Sequence, residues 1–124
     1  MSDNTKILGN VGENIAAKFL ENHGYKIIAR NYRIRSAEID IIAEIGGVIV
    51  FVEVKTRSNI RHGSAAEAVN FRKQKKIIEA ASIFLQDENY CDCACRFDVI
   101  EIYSHGKDFT VNHIEDAFEV LSEI

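Results

Sequence analysis

The sequence has 124 residues, of which 47% are hydrophobic and 27% charged, and it contains no proline and no tryptophan. This length and composition predict one folded domain spanning residues 1–124 and exclude an intrinsically disordered chain. No apolar run approaches the roughly 20 residues of a membrane span, and residues 1–10 do not resemble a signal peptide. Three cysteines are too few for a disulfide framework, so the sequence predicts a cytoplasmic protein with no membrane partner.

The charge of the chain is unevenly distributed. The formal net charge is −4, from 15 Lys and Arg against 19 Asp and Glu, which taken alone argues against nucleic-acid binding. Residues 26–76, however, contain 11 bases and 5 acids, a formal charge of +6, whereas the rest of the chain carries −10. Such a middle segment can present a basic face, the alternative being a chance clustering of solvated charges.

The first half of the chain predicts a helix followed by a three-stranded meander. Apolar residues at three- and four-residue spacing predict the helix over residues 7–23, with Gly24 at its C-terminal cap. Gly46-Gly47 is typical of a two-residue hairpin turn. β-rich segments on both sides of this turn and before it predict strands over residues 25–35, 37–45 and 48–56.

The second half predicts a long helix and further strands. After a loop over residues 59–63, a helix is predicted from Ser64 or Ala65 to about Gln86, long enough to cross over to a parallel strand. The last predicted elements are a strand over residues 95–103, a short strand over residues 109–113 and a helical turn or two over residues 115–121. The order αβββαβ predicts an α/β fold with a mixed central sheet flanked by helices.

The hairpin brings acidic residues together. Alternation places Glu38, Asp40 and Ile42 on one face of their strand and the odd-numbered residues, Ile39 among them, on the other. A two-residue turn at Gly46-Gly47 then sets Asp40 opposite Glu53, and Glu38 opposite Lys55.

Directly opposed like charges destabilise a sheet, and a divalent cation would remove the conflict. Carboxylate ligands suit Mg²⁺ or Mn²⁺, with waters and a substrate phosphate at the remaining positions. Lys55 could then orient or help deprotonate an attacking water, and Glu38 could pair with Lys55 or hold a water. The alternative is that Asp40, Glu53 and Lys55 form a solvated charged patch at the rim of the sheet.

Three further groups of residues have two interpretations each. Glu13 borders the apolar stripe of the first helix, so it points towards the sheet or is an ordinary surface residue. Cys91, Cys93 and Cys95 alternate, and they either bind a metal with His105 or Asp92 or are buried as small hydrophobic residues.

The third group is basic and is predicted to bind nucleic acid. Its members at the start of the second helix oppose the helix macrodipole, which phosphate contacts would explain. An exposed helix face with Glu79 as an ion-pair partner is the alternative. The predicted nucleic-acid-binding residues are Arg30, Arg33, Arg35, Arg57, Arg61, Arg72, Lys73, Lys75 and Lys76.

The strings Ala37-Glu38-Ile39-Asp40 and Phe51-Val52-Glu53-Val54-Lys55-Thr56-Arg57 resemble the Asp…Glu-x-Lys core of the restriction-endonuclease-like superfamily. Over nearly its full length the chain resembles the YraN-like (UPF0102-type) family of small bacterial proteins. The segments that carry this resemblance are residues 9–20, 24–25, 29–32, 51–57 and 113–118.

The resemblance implies a restriction-endonuclease-like αβββαβ core, similar to that of archaeal Holliday-junction resolvases. It implies that Asp40 and Glu53 are metal ligands, that Lys55 is the catalytic lysine and that Glu13 completes the site. Gln74 stands where related nucleases sometimes carry a polar residue on a helix. Ala37 occupies a position where the family usually has Gly, a change that a strand accommodates.

The sequence therefore predicts a Mg²⁺- or Mn²⁺-dependent endonuclease that hydrolyses phosphodiesters in DNA, including branched or repair intermediates. A chain of 124 residues has a small footprint, so a homodimer in which each subunit cuts one strand is expected. One alternative is a nucleic-acid-binding module of the same fold with little or no catalytic activity. Another is a protein–protein adaptor in DNA repair or uptake.

Overall fold

The computed structural model describes residues 2–57, 70–90 and 92–118, with side chains from residue 10 onwards. The described helices are α1 (Ser2–Asn22) and α2 (Phe71–Asp87). The described strands are β1 (Lys26–Ile34), β2 (Ala37–Ile45), β3 (Val48–Arg57), β4 (Ala94–His105) and β5 (Asp108–Phe118). This order confirms the predicted αβββαβ arrangement and the strand predicted over residues 109–113, which is longer than expected and forms β5.

The five strands form one sheet in the order β1-β2-β3-β4-β5. All neighbouring pairs are antiparallel except β3 and β4, which are parallel. The predicted mixed sheet is therefore confirmed. Gly46 and Gly47 both have positive φ, which a type I′ hairpin turn requires, and Ile45 pairs with Val48 across that turn.

The sheet is covered on both faces, which explains the continuous apolar run of β3. Phe51 belongs to the core cluster that packs against α2, together with Ile77 and Phe84. Val50 and Val52 point the other way, into the cluster that contains Leu20 of α1. When a strand is buried on both faces, both sets of its alternating side chains are apolar, so its sequence is an uninterrupted run of hydrophobic residues.

The second helix begins later than predicted. Asn70 has an extended backbone (φ −69°, ψ 170°), and its side-chain oxygen accepts a hydrogen bond from the Lys73 backbone N–H at 2.9 Å. Asn70 is thus the N-cap of α2, so the predicted start at Ser64 or Ala65 is wrong for this helix. Residues 58–69, including the predicted loop over residues 59–63, lie outside the described part of the chain.

The helical turn predicted over residues 115–121 is also wrong for residues 115–118, because β5 continues to Phe118. The backbone N–H of Asp116 donates to Asp98 Oδ1 at 2.9 Å, and Phe118 pairs with Phe97 across the strands. Asp116 has a φ of 55°, at an irregularity that lets the strand resume its pairing. Residues 119–121 lie outside the described residues.

A buried polar network on the α1 side fastens β4 to its neighbours. Asp98 has no exposed surface, and its carboxylate accepts two hydrogen bonds from Arg96, at 2.9 and 2.8 Å. His113 Nε2 lies 2.7 Å from Asp98 Oδ2, and Arg96 also donates to the Tyr25 hydroxyl at 2.8 Å. The network connects β4 and β5 to the residue that precedes β1.

Among the described residues, no helix has the length and apolar character needed to cross a membrane.

Candidate active site

The strands β2 and β3 separate at the predicted carboxylates. Their ladder runs from Ile45↔Val48 to Ile41↔Val52, as the hairpin turn predicts. The next predicted pair, Asp40 opposite Glu53, lies beyond this ladder. Asp40 Oδ2 instead accepts a hydrogen bond from the Val54 backbone N–H at 2.8 Å. The side chain of Asp40 thus supplies the acceptor that a continuing β2 backbone would have supplied, and the carboxylate is held at the point of separation.

The predicted alternation of β2 fails at the same place. Ile39 and Ile42 both pack in the α2 cluster, whereas Ile41 packs in the α1 cluster. Even and odd positions therefore exchange faces beside Asp40. The assignment of Ile39 to the face of Ile41 was wrong, because a strand that leaves its neighbour no longer keeps the period of two.

Two carboxylates interact electrostatically at this point. The side chain of Glu53 is 7% exposed. Burial, followed by the nearby negative charge of Glu53, raises the pKa of Asp40 to about 7. Because two neighbouring carboxylates disfavour each other's ionisation, this position favours the binding of an additional cation.

Two lysines lie against the same oxygen of Glu53. Lys55 Nζ lies 3.5 Å from Glu53 Oε2, and Lys73 Nζ lies 2.5 Å from that oxygen. Burial and the neighbouring Lys73 lower the pKa of Lys55. The expected pairing of Lys55 with Glu38 is wrong, because Glu38 Oε2 accepts from Arg33 Nε at 3.1 Å on the adjoining strand.

Lys73 is part of the carboxylate site, a role that sequence reasoning missed when it assigned this lysine to nucleic-acid binding alone. Burial opposes its charged form, but hydrogen bonding to Glu53 prevails and raises the pKa of Lys73. The only sequence signal was a base in the first helical turn, where a base is unfavourable.

Helix α1 brings Glu13 towards the two carboxylates. Gly12 packs so closely on β3 that a Cβ atom there would lie 2.2 Å from Thr56 Oγ1. Glu13 Oε1 lies 4.0 Å from Arg30 Nη2. Burial raises the pKa of Glu13, an effect that Arg30 partly offsets and the charges of Glu38 and Glu53 reinforce.

Asn31 is a second residue that sequence reasoning missed. Its amide nitrogen lies 3.2 Å from Glu13 Oε1 and 3.2 Å from Glu38 Oε2, so it bridges α1 and β2. Its φ is 54°, a left-handed conformation in the middle of a strand. Asn adopts this conformation several times more readily than most residues, so a lone Asn within a β-rich segment was the available signal.

A cavity of about 210 Å³ opens beside Glu53. Ser36 Oγ lies 3.5 Å from Glu79 Oε1 and so connects the β1–β2 turn to α2. The cleft is lined by Ser36, Ala37, Glu38, Glu53, Lys73, Lys76 and Ile77. Two carboxylates and two lysines therefore line the same cleft.

The carboxylates fit a magnesium ion that keeps part of its water shell. Among the described residues, no group of three or more Asp, Glu, His and Cys side chains is placed to hold a metal ion. Mg²⁺ commonly binds through only one or two carboxylates, together with waters and substrate phosphates. Asp40 and Glu53 meet that requirement, and Asp40 uses Oδ2 alone in its bond to Val54. Glu13 acts on them through its charge while it contacts Arg30 and Asn31.

The predicted basic residues occupy both sides of the cleft. On the strand side, Arg33 is exposed and pairs with Glu38, and Arg35 is exposed in the following turn. Arg30 turns towards α1, where it donates to Asn14 at 2.8 Å. On the helix side, Lys76 lines the cleft.

The other predicted bases that the structure describes do not line the cleft. Lys75 Nζ lies 5.4 Å from the centre of the exposed Phe71 ring. Arg72 is exposed on α2, Arg57 is partly buried at the end of β3, and Arg61 lies outside the described residues.

Glu101 of β4 is a third missed residue. It lies in register with Lys55 on the neighbouring strand, and only 2% of its surface is exposed. Its Oε1 accepts from Asn112 at 2.8 Å, whereas Oε2 has no hydrogen-bond partner among the described residues. Glu alternating with apolar residues is typical of an exposed strand face, so this burial could not be predicted from the local pattern.

The cysteines are placed only in part. Cys95 is the second residue of β4, and Cys93 lies in the bend before it. Both are exposed free thiols, so neither is buried as a small hydrophobic residue. Cys91 lies outside the described residues, and the predicted metal site at the three cysteines is untested.

Comparison with known proteins places the chain in a family. Residues 12–102 match the uncharacterised protein family UPF0102. A UPF0102 protein of Caldanaerobacter subterraneus subsp. tengcongensis is 45% identical over 118 residues, which cover 93% of this chain and 97% of that protein. A UPF0102 protein of Clostridioides difficile is 47% identical over 115 residues, with 93% of this chain and 99% of the relative covered.

Among solved structures, the chain is similar to SfsA of Pyrococcus furiosus in complex with Ca²⁺, with a TM-score of 0.36 and 16% identity. The similarity covers 94% of this chain and 65% of SfsA. With a family match over residues 12–102 and near-complete relatives at about 45% identity, the YraN-like resemblance is confirmed, and the chain belongs to the UPF0102 family.

Proposed function

We propose that this protein is a metal-dependent endonuclease that hydrolyses phosphodiester bonds in DNA. The observation that carries the proposal is the convergence of Asp40, Glu53 and Lys55 beside a cleft between the β1–β2 turn and α2. A folding role alone gives no reason to place one buried carboxylate beside another and so disfavour the ionisation of Asp40. A site that holds Mg²⁺ does give such a reason.

The proposed reaction is an in-line attack of water on phosphorus. A P–O bond to the water oxygen forms, the P–O bond to the leaving sugar oxygen breaks, and the water proton is transferred to solvent or to a nearby base. Mg²⁺, when bound by Asp40 and Glu53, supplies positive charge that polarises the phosphoryl oxygen. Lys55, whose lowered pKa brings its neutral form closer to physiological pH, orients the water or stabilises the negative charge that develops on the phosphate.

The charges around the cleft support DNA as the substrate. Arg33 and Arg35 lie on the strand side of the opening, and Lys73 and Lys76 lie on the helix side. Lys and Arg on both sides of a cleft that contains carboxylates can contact phosphates on either side of the scissile bond. Because the chain as a whole is acidic, we expect a recognition of local DNA shape, as at branched or repair intermediates, rather than strong non-specific binding to duplex.

The test is a cleavage assay on duplex, single-stranded, flap and four-way-junction DNA with Mg²⁺ or Mn²⁺. We expect cleavage of at least one substrate by the wild type, and a loss of about 10²-fold or more in the Asp40→Ala and Lys55→Ala variants. Glu44→Ala, near the other end of β2, and Lys107→Ala, in the β4–β5 turn, are the matched controls and should cleave like the wild type. Cleavage that survives both site substitutions would come from a contaminant and would refute the proposal.

One observation favours the alternative of a binding module with little or no catalysis. Two lysines pair with Glu53, so residues of the chain itself compensate the charge of this carboxylate. Salt-sensitive DNA binding by a wild type that cleaves no substrate would favour this alternative. Absence of both binding and cleavage would favour a protein–protein adaptor.

A further inference from the structure

Lys73 makes the shortest ion pair of the candidate site. Its Nζ lies 2.5 Å from Glu53 Oε2, closer than Lys55 Nζ at 3.5 Å. The backbone of Lys73 is fixed as well, because its N–H donates to the N-cap side chain of Asn70 at 2.9 Å. The helix start thus holds this lysine in position, although a base in the first turn of a helix is electrostatically unfavourable.

The position of Lys73 conflicts with a divalent ion on Glu53. A metal ion on Glu53 would share this carboxylate with the Lys73 ammonium group, and two cations held on one carboxylate repel each other. Of the two lysines, Lys73 is the more exposed, with 40% of its side chain accessible against 24% for Lys55. It also lines the cleft, which gives its side chain space to move into.

We infer that Lys73 is the internal counter-cation of Glu53, which a divalent ion displaces and which is then available to a DNA phosphate in the same cleft. This inference rests on the metal site of the proposed function. Its thermodynamic consequence is that metal binding and DNA binding favour each other, since each removes the competitor of the other. Lys73 is therefore a positioning residue that couples the two ligands.

The test measures Mn²⁺ affinity by isothermal titration calorimetry on the protein without DNA. Lys73→Gln should bind Mn²⁺ more tightly than the wild type, by on the order of five- to tenfold, since coupling between sites commonly has this size. Lys76→Gln is the matched control, because Lys76 lines the same cleft while the described ion pairs of Glu53 involve Lys55 and Lys73. It should change the affinity by less than twofold.

A second measurement follows the coupling itself. The affinity for a short fluorescein-labelled four-way junction is measured by anisotropy with and without Ca²⁺, used as an ion that binds without supporting cleavage. In the wild type the ion should tighten DNA binding, and in Lys73→Gln this gain should shrink by on the order of fivefold. Lys73→Arg keeps the cation, so it should retain most of the wild-type behaviour in both measurements.

Several outcomes would overturn the inference. They are equal tightening of Mn²⁺ binding in Lys73→Gln and Lys76→Gln, unchanged or weaker binding in Lys73→Gln, and no Mn²⁺ binding by any variant. Circular dichroism and thermal unfolding confirm that each variant is folded. If Lys73→Gln is not folded, the Mn²⁺ affinity of Lys73→Arg is compared with that of the wild type instead. A wild type that binds Mn²⁺ but cleaves no DNA would refute the proposed nuclease, while a difference between the two glutamine variants would still support the counter-cation.

Discussion

At the scale of single residues, Asp40 has two functions in one side chain. Its Oδ2 completes the hydrogen bonding of β3 through Val54, and its charge forms half of the candidate metal site with Glu53. The hydrogen bond from Val54 favours the ionised carboxylate, whereas burial and Glu53 disfavour it more strongly and raise its pKa to about 7. The residue is therefore useful to the fold in either protonation state.

Without divalent ions, Asp40→Asn should make the protein more stable at about pH 8, by on the order of 1–2 kcal/mol. Since the folded-state pKa of about 7 exceeds the ordinary value of 3.8 for an aspartate, the folded protein binds this proton more tightly than the unfolded chain. The stability of the wild type relative to the variant should thus fall as the pH rises between these two values. Asn can still accept the bond from Val54.

Urea unfolding at about pH 4 and about pH 8 measures this difference. Glu44→Gln, on the same strand and away from Glu53, controls for the loss of a carboxylate. A stability difference between Asp40→Asn and the wild type that is the same at both pH values would contradict the prediction.

At the scale of elements, the close approach of α1 to β3 places Glu13 in the site. Helices and sheets normally keep their backbones apart by the thickness of their side chains, but Gly12 lets α1 contact Thr56 directly. Glu13, the next residue, then reaches Arg30 and Asn31 of β1. The position of this carboxylate therefore depends on a residue that has no side chain.

Gly12→Ala should destabilise the protein by about 1–2 kcal/mol, because the cost of overpacking exceeds the helix-propensity gain of about 1 kcal/mol. In a Thr56→Ala background the same change should be neutral or stabilising, since the clashing Thr56 Oγ1 is gone. The four proteins form a double-mutant cycle measured by urea unfolding. Additive effects of the two substitutions would show that the contact does not limit the approach of α1.

At the scale of the whole molecule, the two faces of the sheet have separate polar systems. The candidate site lies where β2 leaves β3, next to α2, whereas the Asp98 network lies on the α1 side near the start of β4. Burial alone would raise the pKa of Asp98, but the hydrogen bonds from His113 and Arg96 prevail and lower it. This second system holds the edge strand β5 in place, and none of its described hydrogen bonds and ion pairs involves Glu53.

Asp98→Asn should therefore reduce the free energy of unfolding by about 3 kcal/mol at neutral pH. This value is in the lower part of the range for breaking a buried ion pair, because Arg96 keeps some contact with water. Because the folded-state pKa of Asp98 is depressed, its contribution to stability is complete above the ordinary aspartate value of 3.8 and is lost as the pH falls through the folded-state pKa. The stability difference from the wild type should shrink in acid. Asp108→Asn, exposed in β5, is the control in the same urea titrations, and an equal loss in both variants would refute the role of the network.

Local patterns were sufficient to predict the order αβββαβ, the hairpin register up to the point where the strands separate, and the proximity of Asp40 to Glu53, since these depend on alternation and on Gly46-Gly47. The remaining features depend on contacts between distant segments. Lys73 reaches Glu53 only because the Asn70 cap and the packing of α2 on β2 bring the start of the helix to β3. Nothing near Glu101 in the sequence indicates that its neighbours bury it. The strand that replaces the expected helix after Glu115 depends on Asp98, which precedes Glu115 by 17 residues.

The bond between Asp40 and Val54 affects how substitutions among UPF0102 proteins should be interpreted. A descendant that abandoned catalysis would lose the selection on Glu53 and Lys55, but its sheet would still need an acceptor at position 40. Asp or Asn would persist there for architectural reasons alone. Retention of an acceptor at position 40 thus carries no information about activity, whereas joint replacement of Glu53 and Lys55 would identify the lineages that have become binding proteins.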